Sequence, residues 1–183
     1  LRGLGGPPTA RGVAVDAGAG AANLRFLCCW LAAGETDVVV TGTPRLFERP
    51  HEPLFAFLRE LGAEVERTQA DGRPGARIRG HGLRGGEWRP PLAERSQFLS
   101  GLLLAAHWCG EVLVRLPGPI PSAGYLDLTL EALRAFRGPL AVTAEAGGLR
   151  LRPGAPEPRD YAVPGDSSAA TFFLVALALR GGR

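Results

Sequence analysis

The chain has 183 residues, of which 45% are hydrophobic and 21% charged, a composition typical of globular proteins that argues against bulk disorder. All 21 basic residues are arginines, so the chain offers neither a Schiff-base lysine nor a phosphate-loop lysine. The net charge of +3 is spread along the sequence, without the run of like charges that is typical of a nucleic-acid-binding tail.

Cysteines, histidines and apolar runs argue against disulfide, metal and membrane functions. Cys28, Cys29 and Cys109 are too few for a secreted disulfide scaffold, and the three histidines lack a metal-binding spacing. The uncharged apolar stretch 98–109 is too short to span a bilayer. We therefore expect a cytoplasmic protein with no metal, no membrane and no nucleic-acid partner.

Helices and strands are predicted in an order that repeats along the chain. The first stretch predicts a strand at 13–15, an apolar helix ending at Gly34, a strand at 38–40, a helix at 51–62 and strands at 63–66 and 76–79. The second predicts an apolar helix ending at Gly110, a strand at 112–114, a helix at 125–138 and strands at 140–143 and 148–152. A third apolar helix ends at Gly181.

The spacing of these elements predicts a pseudo-threefold repeat. Phe26, Phe98 and Phe172 hold the same place in the three apolar helices and are 72 and 74 residues apart. A period of this length exceeds that of solenoid repeats and predicts a closed α/β domain. We expect residues 1–183 to form most of one domain, with units at about 1–80, 81–153 and 154–183. Because the third unit stops before its strands and the chain begins with Leu1, we expect a domain truncated at both ends.

Two arginines are candidates for binding anions. Arg25 interrupts an apolar helix, so its guanidinium must reach solvent, pair with another group or meet a ligand. Arg49 lies in the loop before the next helix, and Pro50 is expected to set the entrance of that helix. An ion pair with the neighbouring Glu48 is the structural alternative for Arg49. Arginine binds carboxylate and phosphate groups with two parallel hydrogen bonds, which favours an anionic ligand.

Polar residues also stand where the helices of the second unit begin. Ser96 and Gln97 open its first helix, where free backbone N–H groups favour anions, although Ser96 is also an ordinary N-cap residue. Ser122 and Tyr125 occupy the place that Arg49 holds in the first unit, so we expect both places to face one shared opening. Alternatively, Ser122 is a turn residue and Tyr125 a packing residue.

Four segments together resemble the 5-enolpyruvylshikimate-3-phosphate synthase family, in the family's order and roughly its spacing. The segments are TGTPRLFERP, ERSQFLSG, IPSAGYLDLT and PGDSSAA. The resemblance implies two domains of three βαβαββ units each, with the active site in the cleft between them. It also implies transfer of the enolpyruvyl group of phosphoenolpyruvate to the 5-hydroxyl of shikimate 3-phosphate, with release of phosphate and without a metal or organic cofactor.

The resemblance also assigns roles to residues of this chain. It implies that phosphoenolpyruvate contacts Arg25, Arg49 and Gln97. It implies that shikimate 3-phosphate contacts Arg95, Ser96, Gln97, Ser122 and Tyr125. The family's catalytic aspartate, lysine and glutamate have no match in this chain, so we expect a second domain to complete the site and this chain alone to be inactive.

The chain departs from the family pattern at one motif. Ala19, Ala21 and Ala22 stand where the family has asparagine, glycine and threonine, and Arg95 replaces a serine. A methyl group at the glycine position is expected to crowd a closely bound ligand. A non-catalytic binding relative and a transferase with a different acceptor therefore stay open. A sibling family that acts on UDP-N-acetylglucosamine is less favoured, because its reactive cysteine falls on Pro44.

Overall fold

The computed structural model describes residues 5–91, 96–116, 118 and 123–181 of the chain. The first part contains β1 (Arg11–Asp16), α1 (Ala21–Ala32), β2 (Glu35–Thr41), α2 (Pro44–Phe47), α3 (Glu52–Glu60), β3 (Glu64–Ala70) and β4 (Arg73–His81). The second contains β5 (Gly86–Trp88), α4 (Ser96–Ala106), β6 (Val112–Arg115), α5 (Ala123–Arg137), a 3-10 turn (Pro139–Ala141), β7 (Val142–Glu145) and β8 (Gly148–Leu151). The last described element is α6 (Ser167–Arg180).

The two units form four-stranded sheets of identical topology. In the first sheet the spatial order is β1-β2-β4-β3, with β1 parallel to β2 and the other neighbours antiparallel. In the second the order is β5-β6-β8-β7, again with only the first pair parallel among the described strands. The same order and the same strand directions confirm the predicted repeat of βαβαββ units and the mixed fold class.

The central strand and the hairpin of the first unit follow from local sequence. Along β2, Val38 and Val40 are buried, and period-2 alternation places both on the face that meets the helices. The turn between β3 and β4 is Asp71-Gly72, with φ values of 52° and 71°. Aspartate and glycine tolerate this left-handed backbone, and an Asp-Gly pair matches the twist of the two strands that it joins.

Helices α1 and α4 pack against each other and join the two units in one core. Leu24 and Cys28 of α1 and Leu102 of α4 are fully buried. Gly101 lets the helices approach closely, because a Cβ atom there would lie 3.0 Å from the sulfur of Cys29. Burial raises the pKa of the Cys28 thiol to about 12, so that thiol is protonated at neutral pH. These contacts fix α1 relative to α4.

Helix α6 has well-formed ends but buries none of its side chains against the described residues. The carboxylate of Asp166 accepts a hydrogen bond from the backbone N–H of Ala169 at 3.0 Å, which makes Asp166 the N-cap. Gly181 ends the helix with a left-handed φ of 66°, at the residue where the sequence predicts the end. None of the helices described in this chain is long and apolar enough to cross a membrane.

Two local expectations differ from the structure. The segment before α3, expected to be a loop, contains the single-turn helix α2, which Thr43 caps by accepting a hydrogen bond from the Leu46 N–H. The proline in the first turn of α3 is Pro53 rather than Pro50, and His51 precedes the helix as its N-cap residue. Pro50 instead offers its carbonyl to the side chain of Arg25.

The packing of α4 predicts that two leucine-to-alanine substitutions differ greatly in their effect on the free energy of unfolding. Leu102→Ala removes a fully buried side chain of α4 and should lower the free energy of unfolding by about 2–5 kcal/mol, measured by urea denaturation. Leu128→Ala, on α5, truncates a side chain that is 55% exposed and should change it by less than about 0.5 kcal/mol. Equal effects of the two substitutions on the free energy of unfolding would contradict the burial of Leu102 in the core.

The burial of His107 predicts a pH dependence of stability. Burial, followed by the positive charge of Arg137, lowers the pKa of His107 from 6.5 to about 4. Protons therefore bind the unfolded chain more readily, so the free energy of unfolding should fall as the pH is lowered from about 6.5. His107→Gln should reduce this fall by up to about 2 kcal/mol between pH 6.5 and 5, measured by urea denaturation at each pH. If the free energy of unfolding depends on pH in the same way for the wild type and for His107→Gln, the burial of His107 is contradicted.

Candidate functional site

The side chain of Arg25 lies at the centre of the candidate site. The residue is only 1% exposed, although it carries a full positive charge. Its Nη1 donates a hydrogen bond to Oε1 of Gln97 at 2.5 Å, and its Nη2 donates to the carbonyl oxygen of Pro50 at 3.3 Å. The guanidinium also lies 4.7 Å from the ring centroid of Phe98, a cation–π contact. Arg25 therefore connects α1 with the start of α4 and with the loop before α3.

The contact with Arg25 orients the amide of Gln97. Because Oε1 accepts the hydrogen bond, the NH₂ group of the same amide points to the other side and can donate to an anion. Gln97 is half-buried, so this NH₂ group lies close to solvent without being fully hydrated. Ser96, its neighbour in the first turn of α4, is buried with 4% exposure. The first turn of α4 therefore offers an oriented amide beside a buried cation.

The loop that carries Arg49 is held in place by His51. The His51 ring is fully buried between Phe47 and Phe55, and its Nε2–H donates to the carbonyl of Leu46 at 2.8 Å. Burial is the main cause that lowers the pKa of His51, and the charges of nearby arginines add to it. A neutral, fixed histidine therefore orients the loop.

Arg49 projects from this loop toward solvent, next to the carbonyl that Arg25 contacts. Its side chain is exposed, and the alternative ion pair with Glu48 is absent among the described residues. Arg49 thus has a guanidinium available for a ligand within one residue of Pro50. The buried Arg25 and the exposed Arg49 place two positive charges at one end of the helix pair, where an anion is favoured.

Tyr125 lies at the same end of the molecule, on helix α5. The hydroxyl of Thr129 donates to the hydroxyl of Ser100 at 2.8 Å, and this buried pair joins α5 to α4. Tyr125 precedes Thr129 by four residues, as Ser96 precedes Ser100, so both lie one turn nearer the N-terminal ends of their helices. The Tyr125 side chain is 58% exposed and is accessible to a ligand.

The loop before α1 carries the departure from the family motif. Asp16 accepts a hydrogen bond from the Gly18 N–H at 2.7 Å and pairs with Arg73, and these two contacts lower the pKa of Asp16. Ala19 is exposed in this loop, whereas Ala21 is 5% exposed and packs in the core. Whether the Ala21 methyl group crowds a ligand stays a prediction.

The structure places the predicted site residues that it describes near the N-terminal ends of α1, α3, α4 and α5. Arg25 and Gln97 touch, Arg49 is adjacent to Pro50, and Ser96 and Tyr125 open the neighbouring helices. Arg95 and Ser122 lie outside the described residues. Within the described part of the chain, no group of three His, Cys, Asp or Glu side chains is placed to hold a metal ion.

Sequence reasoning missed the residues that support this site. The sequence predicts no role for His51 beyond the absence of a metal-binding spacing, and it predicts no Ser100–Thr129 pair. A histidine between two phenylalanines, in FERPHEPLF, is the local signal for the first. The second has no local signal, because the two hydroxyls are 29 residues apart.

Known proteins of the family that the motifs resemble also match this chain in sequence. The sequence model of the family described as EPSP synthase (3-phosphoshikimate 1-carboxyvinyltransferase) matches residues 2–183. The 3-phosphoshikimate 1-carboxyvinyltransferase of Edwardsiella ictaluri is 37% identical over 189 residues, which cover 100% of this chain and 43% of the relative. That of Yersinia pestis is 36% identical over 165 residues, which cover 87% of this chain and 37% of the relative.

A solved structure shares the fold. The EPSP synthase of Acinetobacter baumannii superposes with a TM-score of 0.70 at 34% identity, over 91% of this chain and 36% of that chain. The chain therefore spans about two fifths of the length of the relatives that it matches. Because the family match extends over nearly the whole chain and the fold agrees, the chain belongs to the EPSP synthase family.

Proposed function

We propose that this chain supplies the anion-binding half of an interdomain cleft for enolpyruvyl transfer from phosphoenolpyruvate to shikimate 3-phosphate. The observation that carries the proposal is the contact between Arg25 and Gln97, which joins the first helices of the two units. Both substrates are anions, and the described site combines arginine, amide and hydroxyl donors at helix N-termini. A second domain, carried outside this chain, completes the cleft.

Each side chain has a distinct role in this proposal. The exposed Arg49 binds phosphoenolpyruvate, while the buried Arg25 holds the amide of Gln97 in position for both substrates. Ser96 and Tyr125 contact shikimate 3-phosphate, with Arg95 and Ser122 completing that subsite outside the described residues. These side chains bind and orient, because arginine and glutamine do not exchange protons near neutral pH. The proton transfers of the reaction then fall to the second domain.

The alanine substitutions support a second candidate function. Ala19 and Ala22 have neither the amide nor the hydroxyl that the family places there, so two hydrogen bonds to a ligand are lost. A relative that binds a phosphorylated ligand without catalysing transfer fits this change. A transferase for a different acceptor is also consistent with it. A cytoplasmic location remains a prediction in each case.

Replacement of Gln97 tests the proposed subsite. We expect Gln97→Ala to weaken the binding of shikimate 3-phosphate by about 10- to 100-fold, since a hydrogen bond to a charged ligand group is lost, as measured by isothermal titration calorimetry. Gln69→Ala is the matched control, because Gln69 is exposed on β3, away from Arg25. If the protein binds the ligand and both variants bind it equally well, Gln97 does not contact it.

Phosphate release separates binding from transfer. The chain alone should release no phosphate from a mixture of phosphoenolpyruvate and shikimate 3-phosphate, because the described site holds no proton-transfer group. Release in a colorimetric phosphate assay would contradict the need for a second domain.

Replacement of Arg49 tests the phosphoenolpyruvate subsite. In the full-length protein that contains this chain, Arg49→Gln should reduce kcat/KM at least 10-fold, since a charge-assisted contact is lost. Arg134→Gln, at an exposed position of α5, is the control and should leave kcat/KM unchanged. Equal rates for the two variants would remove Arg49 from the site.

A further inference from the structure

Two hydroxyl groups lie inside the otherwise apolar contact between α4 and α5. Ser100 is 2% exposed and Thr129 is 9% exposed, and their hydroxyl oxygens lie 2.8 Å apart. Leu126 and Leu133, which share a helix face with Thr129, are also buried. Apolar contacts have no preferred direction, whereas a hydrogen bond requires a defined distance and angle. The hydroxyl pair therefore sets the position of α5 along α4 more closely than the leucines do.

The contact between the two helices is not needed to give Thr129 an acceptor. Its hydroxyl also donates to the carbonyl of Tyr125, one turn earlier in α5, at 3.0 Å. Threonine in a helix commonly bonds this carbonyl of its own helix. The additional contact with Ser100 therefore links the backbone of Tyr125 to α4.

The hydroxyl pair lies about one helical turn from two residues of the proposed substrate site. Ser100 follows Gln97 by three residues and Thr129 follows Tyr125 by four, which correspond to about 5 Å and about 6 Å along the helix axes. The backbone hydrogen bonds of a helical turn keep these distances constant. A shift between α4 and α5 at the pair is therefore passed on to the spacing between Gln97 and Tyr125.

Apolar packing contributes little to the position of the first turn of α5. Residues 124, 125, 127 and 128 are exposed, and among 124–128 only Leu126 is buried. The first turn of α4, in contrast, is held by the hydrogen bond between Arg25 and Gln97. With few buried contacts of its own, the first turn of α5 depends on the Ser100–Thr129 bond for its place beside α4.

We propose that Ser100 and Thr129 are positioning residues for the acceptor substrate. Their hydrogen bond sets the distance between Gln97 and Tyr125, so that both side chains contact one molecule of shikimate 3-phosphate. This role rests on the proposed function and adds a residue pair that touches neither substrate.

The loop that carries Arg49 is held by other contacts. His51 donates to the carbonyl of Leu46, and Arg25 donates to the carbonyl of Pro50. These bonds join the loop to itself and to α1, so loss of the hydroxyl pair should leave the phosphoenolpyruvate subsite in place. The positioning role therefore predicts an effect on one substrate and not on the other.

Steady-state kinetics of the full-length protein that contains this chain test the pair. Thr129→Val keeps the shape of the side chain but removes the hydroxyl, and it should raise KM for shikimate 3-phosphate about 3- to 10-fold, as expected for the loss of one hydrogen bond. KM for phosphoenolpyruvate and kcat should stay unchanged. Thr129→Ser keeps the hydroxyl and should restore the wild-type KM.

Replacement of the partner hydroxyl gives an independent measurement. Ser100→Ala should raise KM for shikimate 3-phosphate as much as Thr129→Val does, and it carries the test if urea denaturation shows that Thr129→Val is unfolded. The double variant should be no worse than either single variant, because both changes remove the same bond. Additive effects on KM would contradict a shared role.

Thr36→Val is the matched control for the loss of a buried hydroxyl. Thr36 is 2% exposed and donates to the carbonyl of Leu31, in the last turn of α1, at 3.0 Å. This substitution should lower the free energy of unfolding and leave both KM values unchanged. Equal increases of both KM values in Thr129→Val, or no rescue by Thr129→Ser, would overturn the positioning role.

Failure of the positioning role is distinguishable from failure of the proposed function. If the full-length wild type does not convert phosphoenolpyruvate and shikimate 3-phosphate, the proposed function is wrong and the positioning role is wrong with it. If the wild type converts both substrates and Thr129→Val retains the wild-type KM for shikimate 3-phosphate, only the positioning role is wrong.

Discussion

The structure depends on the burial of one arginine. A guanidinium that is 1% exposed is stable only when nearby groups replace the water that it has lost, and Arg25 finds them in Gln97, Pro50 and the ring of Phe98. These partners belong to α4 and to the loop before α3. The contacts that the buried Arg25 guanidinium makes therefore fix α1 against the second unit and against the loop that carries Arg49. The same contacts that stabilise the fold assemble the candidate site.

The parallel packing of helices gives the domain two unlike ends. Helices α1, α4 and α5 run in the same direction, because Arg25 meets Gln97 at one end while Trp30, His107 and Phe136 share a cavity at the other. Backbone N–H groups and the helix dipole make the N-terminal ends of helices favourable for anions. The opposite end is aromatic, and its helix carbonyls are partly occupied by the following segment. Gly101 allows the close helix contact on which this arrangement rests.

Most of the fold follows from the sequence, because hydrophobic periodicity and glycine stops are local signals. The βαβαββ order and the end of α6 at Gly181 were predicted, and the strand bounds differ by only a few residues. The short helix α2 was missed, since a four-residue helix gives no periodic pattern. The role of Pro50 also differs from the prediction, for a different reason. Its carbonyl oxygen accepts a hydrogen bond from Arg25, which lies 25 positions earlier in the chain, and no local pattern indicates that contact. The cavity lined by Trp30, His107 and Phe136 is not predicted by the sequence, because its walls come from several distant segments.

By itself, the sequence determined the repeat, the family and the types of side chain available for binding anions. Periodicity and ordered motifs are properties of the linear chain, so no structure was needed to read them. Only the tertiary structure decided which of these side chains meet. It paired Arg25 with Gln97 across 72 residues, left Arg49 exposed and buried His51 beneath its loop. The physical reason is that burial and pairing depend on distances between distant segments, which the folding of the core sets.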